Sequence, residues 1–395
     1  MTKRFNYVIL SQQSWGTEIG SNAKNIAMEI SKDNKVLYVN RPLDILTRMK
    51  GFQNRTSTSA KNKRGEKTGI DSQIEQVSEN LFAFTPSCTL LSINRFPEGS
   101  WYDLALRFNN YLLAKEIKKA VAHLGLENYI FLNDGELFNG FHLNTMLDAK
   151  KSLYYYRDYF LAVPYWQKHG KRIEPEILAK YDAVVCNSEF LSDIAKQYNE
   201  NSSFVGQGCD YTLFKEALEI SSEPFSKEKP VIGYVGALNS QRLDVQLLEK
   251  LTAENRQWQW VFVGPEDPAF QSSAMHDLDN VTFTGSKPQE ELASYIRSFD
   301  VAINPQRVNE VTIGNYPRKI DEYLFMGKPT VATKTRAMEM FADHCYLTTG
   351  VKGYQSAIRE ALASNSPHLA TKRIEFASMH SWKNSVDKIY QALAS

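Results

Sequence analysis

The sequence lacks a charge surplus: 46 lysines and arginines stand against 45 acidic residues, a formal net charge of +1. That balance argues against a dedicated nucleic-acid binder, whose affinity comes from excess cations facing phosphates. Cysteine is scarce too. Cys88, Cys186, Cys209 and Cys345 are widely scattered, with no CxxC pair and no histidine at metal-ligand spacing. This disfavours a disulfide framework or a structural zinc and makes a reducing compartment the default. No apolar run approaches the ~20 residues of a membrane-spanning helix. The first run, Tyr7–Leu10, ends at Ser11, Gln12 and Gln13, too soon for a signal-peptide core. The expectation is a cytoplasmic chain that is soluble or peripheral on the inner face of a membrane.

What is present is a globular composition, 43% hydrophobic and 12% aromatic over 395 residues, with length for two or three domains. Short apolar runs alternate with stretches of helical periodicity, the pattern of parallel sheets covered by helices. Strands are expected at Tyr7–Leu10, Val36–Val39, Leu81–Phe84, Tyr129–Leu132, Leu153–Tyr156 and Ala183–Cys186, with helices at Tyr102–Leu124 and Phe190–Tyr198. From Phe214 to Pro230 the pattern gives way to Glu, Ser, Lys and Pro, which reads as a linker. A second series restarts at Val231 and runs through Trp260–Val263, Val281–Phe283, Val301–Asn304, Thr330–Thr333 and Tyr346–Thr348. The fold class is therefore α/β, with two doubly wound, Rossmann-like domains at 1–213 and 231–379 and a linker at 214–230. A tail helix in 380–395 is expected to pack back on the first domain. In such sheets ligands bind beyond the carboxyl ends of the strands, so two facing sheets would open both sites into one cleft.

The segment Asn309–Thr333 is the most informative. A loop with Gly314, Asn315 and Tyr316 runs into a helix expected to begin at Pro317, with Arg318 and Lys319 in its first turn and Glu322 one turn on. A helix N-terminus offers unpaired N–H groups and partial positive charge to a phosphate. Cations there oppose the dipole unless an anion is near, and a glutamate can accept ribose hydroxyls. The plain alternative is a surface helix stopped by Gly327.

The run Pro317-x-Lys319-x-x-Glu322-Tyr323-Leu324-x-x-Gly327-Lys328-Pro329-x-Val331-Ala332-Thr333 resembles the nucleotide-binding signature of GT-B fold glycosyltransferases. The nearest likeness is to retaining family 4-like enzymes of surface polysaccharide synthesis, including the teichuronic-acid type. Pro230–Leu238, Trp260–Pro265 and Asn280–Gly285 are similar to the same group, and Val184–Ser188 and Gly208–Phe214 resemble it more loosely. The resemblance implies a glycosyltransferase that moves a sugar from a nucleotide-diphosphate donor, commonly UDP, to a hydroxyl of a glycan or lipid-linked acceptor. It implies retention of configuration and no metal or other cofactor. Glu322 would hold the ribose. Arg242, Lys319, the Gly236 turn and the Gly314–Asn315–Tyr316 backbone would hold the diphosphate, with Gly16 on the first-domain loop. A nucleotide-sugar epimerase of the same shape, or a non-catalytic relative that only binds nucleotide, are the alternatives.

Two departures stand out. Many such enzymes carry a second glutamate eight positions before the ribose glutamate, where this chain has Gly314, and the nearby Glu310 is offset by four. After Gly236 the expected arginine is Ala237, with Arg242 near the position of the second cation. In the first domain Asp158, at the end of a strand, can position or deprotonate the acceptor hydroxyl, or simply pair with Arg157; Asp134 is a weaker candidate. His142 and His169 read as surface or core residues. Asp277-Leu278-Asp279 fits a metal-binding DxD pattern but precedes the expected strand Val281–Phe283, where the resembled family has an ordinary helix–strand connection, so no metal site is expected. Arg48–Lys67 holds seven basic residues against Glu66 alone. It reads as a solvated loop or as a patch for an anionic membrane surface.

Overall fold

The computed structural model describes residues 5–17, 21–48, 69–212, 214–215, 228–310, 312–314 and 316–394. The chain forms two compact units, one of Met1–Asn187, Leu191–Val205 and Val386–Ser395, the other of Ser188–Phe190 and Gly206–Ser385.

The first unit is built on an eight-stranded sheet. Its strands are β1 (Asn6–Ser11), β2 (Val36–Val39), β3 (Ile74–Ser78), β4 (Leu81–Phe84), β5 (Tyr129–Asp134), β6 (Lys151–Tyr156), β7 (Ala183–Cys186) and β8 (Ser202–Phe204), in the order β3-β4-β2-β1-β5-β6-β7-β8. All pairs are parallel except β3–β4. The central strands are buried on both faces, which is why they read as unbroken apolar runs. Strand β3, with Glu75 and Gln76 exposed on an edge, carries no such run. Helix α1 (Asn22–Ser31) is capped by Ser21, whose side chain accepts from the Lys24 N–H at 3.2 Å. Helix α2 (Ser100–His123) starts two residues before the expected Tyr102, behind Gly99 with φ +126°. Helix α3 (Pro164–Lys180) carries Pro at its first position, and α4 covers Glu189–Ala195.

The second unit holds a six-stranded, all-parallel sheet. Strands β9 (Val231–Val235), β10 (Gln259–Val263), β11 (Val281–Phe283), β12 (Val301–Asn304), β13 (Thr330–Thr333) and β14 (Tyr346–Thr348) lie in the order β11-β10-β9-β12-β13-β14. Its helices of eight or more residues include α5 (Val245–Glu254), α6 (Gln289–Ser298), α7 (Arg318–Phe325), α8 (Gly350–Ser364) and α9 (Pro367–Ser378). Helix α10 (Trp382–Ala394) starts in this unit and ends in the first, where Tyr390 Oη accepts from Asn34 Nδ2 at 3.1 Å and the Leu393 carbonyl from Lys151 Nζ at 2.7 Å.

The first domain was expected to reach residue 213, yet Gly206–Ser385 belongs to the second unit. The reason is local bonding: Cys209 N–H donates to the His380 carbonyl at 2.9 Å, and the Tyr211 ring stacks on Phe325 at 4.0 Å. Most of the expected linker 214–230 lies outside the described residues. Strand order reverses between β1 and β5 in one sheet and between β9 and β12 in the other. Ligands of doubly wound sheets sit beyond the carboxyl ends at such points.

Candidate active site

In the second unit β9 runs into Gly236 at φ +138° and β10 into Gly264 at φ +146°. A Cβ on Gly264 would lie 2.1 Å from the Gly236 carbonyl oxygen, and one on Gly236 would lie 1.9 Å from Lys319 Cε. The backbone and the conformation both demand glycine at these strand ends. The Lys319 side chain therefore lies directly across the β9 turn, its Nζ 5.5 Å from the centre of the Tyr234 ring. What holds α7 in this place is Tyr323. Its hydroxyl accepts from Val235 N–H at 2.9 Å and donates to the Val235 carbonyl at 3.3 Å.

Helix α7 begins at Arg318, one residue after the expected start, because Pro317 has ψ 80° and serves as the cap position. The cap residue Pro317 offers no side-chain hydrogen bond, and among the described residues no side chain accepts from the first N–H groups of α7. Ile320, Tyr323 and Leu324 enter the core. Glu322 is half-buried, and its carboxylate makes no hydrogen bond or ion pair among the described residues. Burial raises its pKa, while Arg318 and Lys319 pull it down. A partly desolvated carboxylate of this kind can accept a sugar diol.

Beside it, Asp321 is fully buried. It accepts from Tyr316 Oη at 2.7 Å and shares a 2.6 Å hydrogen bond with His380 Nδ1. Tyr316 thus has its ring and hydroxyl committed to the interior, leaving only its backbone for a ligand. Gly314 is buried, with its carbonyl accepting from Ser188 Oγ at 3.0 Å. Asn315 lies outside the described residues. Glu310 is exposed.

Arg242 lies just before Asp244, which caps α5 by accepting from Leu247 N–H at 3.0 Å. That helix therefore starts at Val245. The Arg242 guanidinium is exposed and unpaired among the described residues, while its carbonyl accepts from the Arg307 N–H at 2.7 Å. Arg307 in turn donates from Nη1 to the Ser240 carbonyl at 3.3 Å. The loops after β9 and β12 thus carry two neighbouring arginines on either side of the reversal point. Arg307 escaped the sequence reading, because its placement depends on backbone bonds between distant loops.

In the first unit Arg157 bridges two carboxylates, Asp134 Oδ1 and Asp158 Oδ2, each at 2.8 Å. Ser11 Oγ donates to the other oxygen of the buried Asp134 at 2.8 Å. Asp158 remains half-exposed. Gly16 is exposed, with open space where a Cβ would stand. A cavity of about 360 Å³ opens beyond β2, β4 and β5, lined by Arg41, Asn94, Arg95, Phe138, Asn139 and Tyr165 among others. Glu136, buried behind it, accepts from Asn139 Nδ2 at 2.9 Å and lies 3.5 Å from Arg41 Nε. None of these three was singled out from the sequence. His169 is a core residue stacked on Tyr102, and Asp279 of the DxD pattern pairs with Arg256 at 2.6 Å.

Two doubly wound sheets with a reversal point in each define the class: the fold is GT-B. The chain aligns over 99% of its length with 98% of sucrose-phosphate synthase from Thermosynechococcus elongatus, at TM-score 0.68 and 16% identity. It aligns equally with all of HepE from Anabaena solved in complex with UDP, at TM-score 0.64 and 15% identity. Within that fold residues 229–364 match the family described as glycosyl transferases group 1. TuaH of Bacillus subtilis (strain 168), a protein named for glycosyl transfer in teichuronic acid biosynthesis, is 27% identical over 173 residues. That match spans 41% of this chain and 43% of TuaH, less than half of either.

Proposed function

We propose that the chain transfers a glycosyl group from a nucleoside diphosphate sugar, with UDP as the nucleotide, to an acceptor hydroxyl in surface polysaccharide or glycolipid synthesis. The observation that carries this reading is Lys319 lying across Gly236, with the unpartnered Glu322 one turn further along α7. Glu322 takes the ribose hydroxyls. Lys319, Arg242 and the backbone around Gly314, Asn315 and Tyr316 take the diphosphate. Arg307 adds a cation to that set. These cations stabilise the charge that develops as the bond from the sugar C1 to the phosphate oxygen breaks, without a metal. The new bond forms between C1 and the acceptor oxygen, whose proton passes to a base. Asp158 of the first unit is the group proposed to orient that hydroxyl, and the Arg41–Asn139 cavity is proposed to receive the acceptor. Retention of configuration is part of the same reading, supported by the motif in Pro317–Thr333.

A lipid-linked acceptor would place the enzyme at the inner membrane face, with the basic stretch Arg48–Lys67, all but Arg48 outside the described residues, against anionic headgroups. No helix among the described residues is long and apolar enough to cross a membrane. Titration calorimetry with UDP tests the donor site: Glu322→Ala should weaken binding at least tenfold, and unchanged affinity removes the assignment. Turnover of donor alone to an isomer would favour an epimerase.

A further inference from the structure

Helix α2 is apolar on two sides. Tyr102, Leu106, Leu113 and Ile117 enter the core of the first unit. On the other side Trp101, Leu104, Phe108 and Tyr111 are 75%, 60%, 47% and 55% exposed. At 3.6 residues per turn these four fall within an arc of about 80°. They form one continuous stripe over three turns, unlike the singly scattered apolar residues that any surface carries. A helix with a core-facing stripe and a second, outward one has a face left to cover.

The charges around the stripe say what covers it. Lys115 and Lys119 continue the same arc on the next two turns, and Arg107 and Lys118 flank it. The acids nearby are already engaged: Asp103 with Arg172 at 2.5 Å, and Glu116 with Lys119 at 2.9 Å. Lys118 reaches Asp148 at 2.9 Å. Arg107 and Lys115 are exposed and have no carboxylate partner among the described residues. The face is therefore aromatic at its N-terminal half and cationic at its C-terminal half.

We propose that this face of α2 docks on an anionic phospholipid bilayer, with Trp101, Leu104, Phe108 and Tyr111 at the headgroup–acyl boundary and Arg107 and Lys115 on lipid phosphates. Tryptophan and tyrosine favour that depth, and an amphipathic helix with basic residues lies flat there. A second copy of the chain fits less well. Parallel pairing of the stripes stacks lysine on lysine, and antiparallel pairing lays the lysines on aromatic rings; neither supplies the counter-charge that headgroup phosphates supply. The inference rests on α2 alone and stands apart from the donor site.

The test is co-sedimentation of the full chain with vesicles of phosphatidylcholine, with and without phosphatidylglycerol. Binding should require phosphatidylglycerol and fall at high salt. The pair Trp101→Ser with Phe108→Ser, and separately Arg107→Glu with Lys115→Glu, should each lower the vesicle partition coefficient about tenfold or more. Both should keep the wild-type melting temperature and UDP affinity, since the residues are exposed and far in sequence from the donor motif. Equal binding of wild type and the stripe variant overturns the proposal. So does equal binding to both vesicle types. It falls as well if neutralising Lys61, Lys63 and Arg64 abolishes all binding while the stripe variants retain it. A wild-type dimer that the stripe variant turns into a monomer, with no vesicle binding by either, assigns the face to self-association instead.

Discussion

Asp321 and His380 are 59 positions apart in sequence, and their side chains meet at 2.6 Å in the interior of the second unit. The contact ties the helix carrying Lys319 and Glu322 to the segment just before α10, and Tyr316 completes it from the loop that precedes the helix. Removing the carboxylate leaves a buried phenol and an imidazole without their partner, at about 1–3 kcal/mol each. Asp321→Ala should therefore lower stability by ~3 kcal/mol, read as a shifted urea midpoint with the m-value unchanged. Asp321→Asn, which still offers one acceptor, should lose less.

Gly236→Ala and Lys319→Ala should act through one contact. The alanine methyl would collide with the Lys319 side chain and force a residue into φ +138°. Each variant should lower UDP affinity about tenfold, and the double variant little further, because residues in contact do not add. Calorimetry on all four forms checks it; full additivity would separate the two residues.

The bridge at Arg157 predicts a division of labour. Arg157→Met strands the buried Asp134 carboxylate and should cost about 3–5 kcal/mol. Asp158→Asn breaks only a half-exposed pair, so stability should change by less than about 1 kcal/mol. Transfer to the acceptor should nonetheless fall about a hundredfold if Asp158 orients the reacting hydroxyl. Thermal melts and initial rates on the two variants distinguish the roles.

Glu174 gives the fold a pH dependence. It is buried on α3 beside Tyr156, and burial raises its pKa from 4.5 to about 7. The folded chain holds this proton more tightly than the unfolded chain does. Stability is thus full below the unfolded value of 4.5 and is lost progressively as pH rises to about 7. The loss amounts to about 3 kcal/mol at most. Glu174→Gln should remove that slope and be the more stable form at pH 8, measured by urea unfolding across the range.

The strands were legible because both faces of a central parallel strand are buried, so Val36–Val39 or Val301–Asn304 stand out as apolar blocks bounded by polar residues. Edge strands carry no such signal. Ile74–Ser78 spends its residues on solvent and Ser202–Phe204 is too short to show a pattern. At the donor site, Lys319, Glu322 and Gly236 could be picked out because one short helix and one turn carry them. Asp321 sits next to Glu322, yet nothing local distinguishes the carboxylate facing the core from the one facing outward; that depends on His380, a distant residue. Arg157 shows the same limit at the level of a pair. Its neighbour Asp158 was visible as a partner, whereas the stronger claim of Asp134 appears only when β5 and β6 lie side by side.

Helix α10 starts against Gly208, where a Cβ would lie 2.4 Å from the Trp382 amide nitrogen, and finishes beside Tyr7, whose ring is 6.1 Å from that of Tyr390. A ribosome making this chain delivers β1 first and the partner of Tyr7 only after the whole second sheet has emerged. The first unit must then wait, with part of its surface bare, until residues 386–394 leave the exit tunnel. Nascent chains stalled before that point should engage chaperones longer than those released after it.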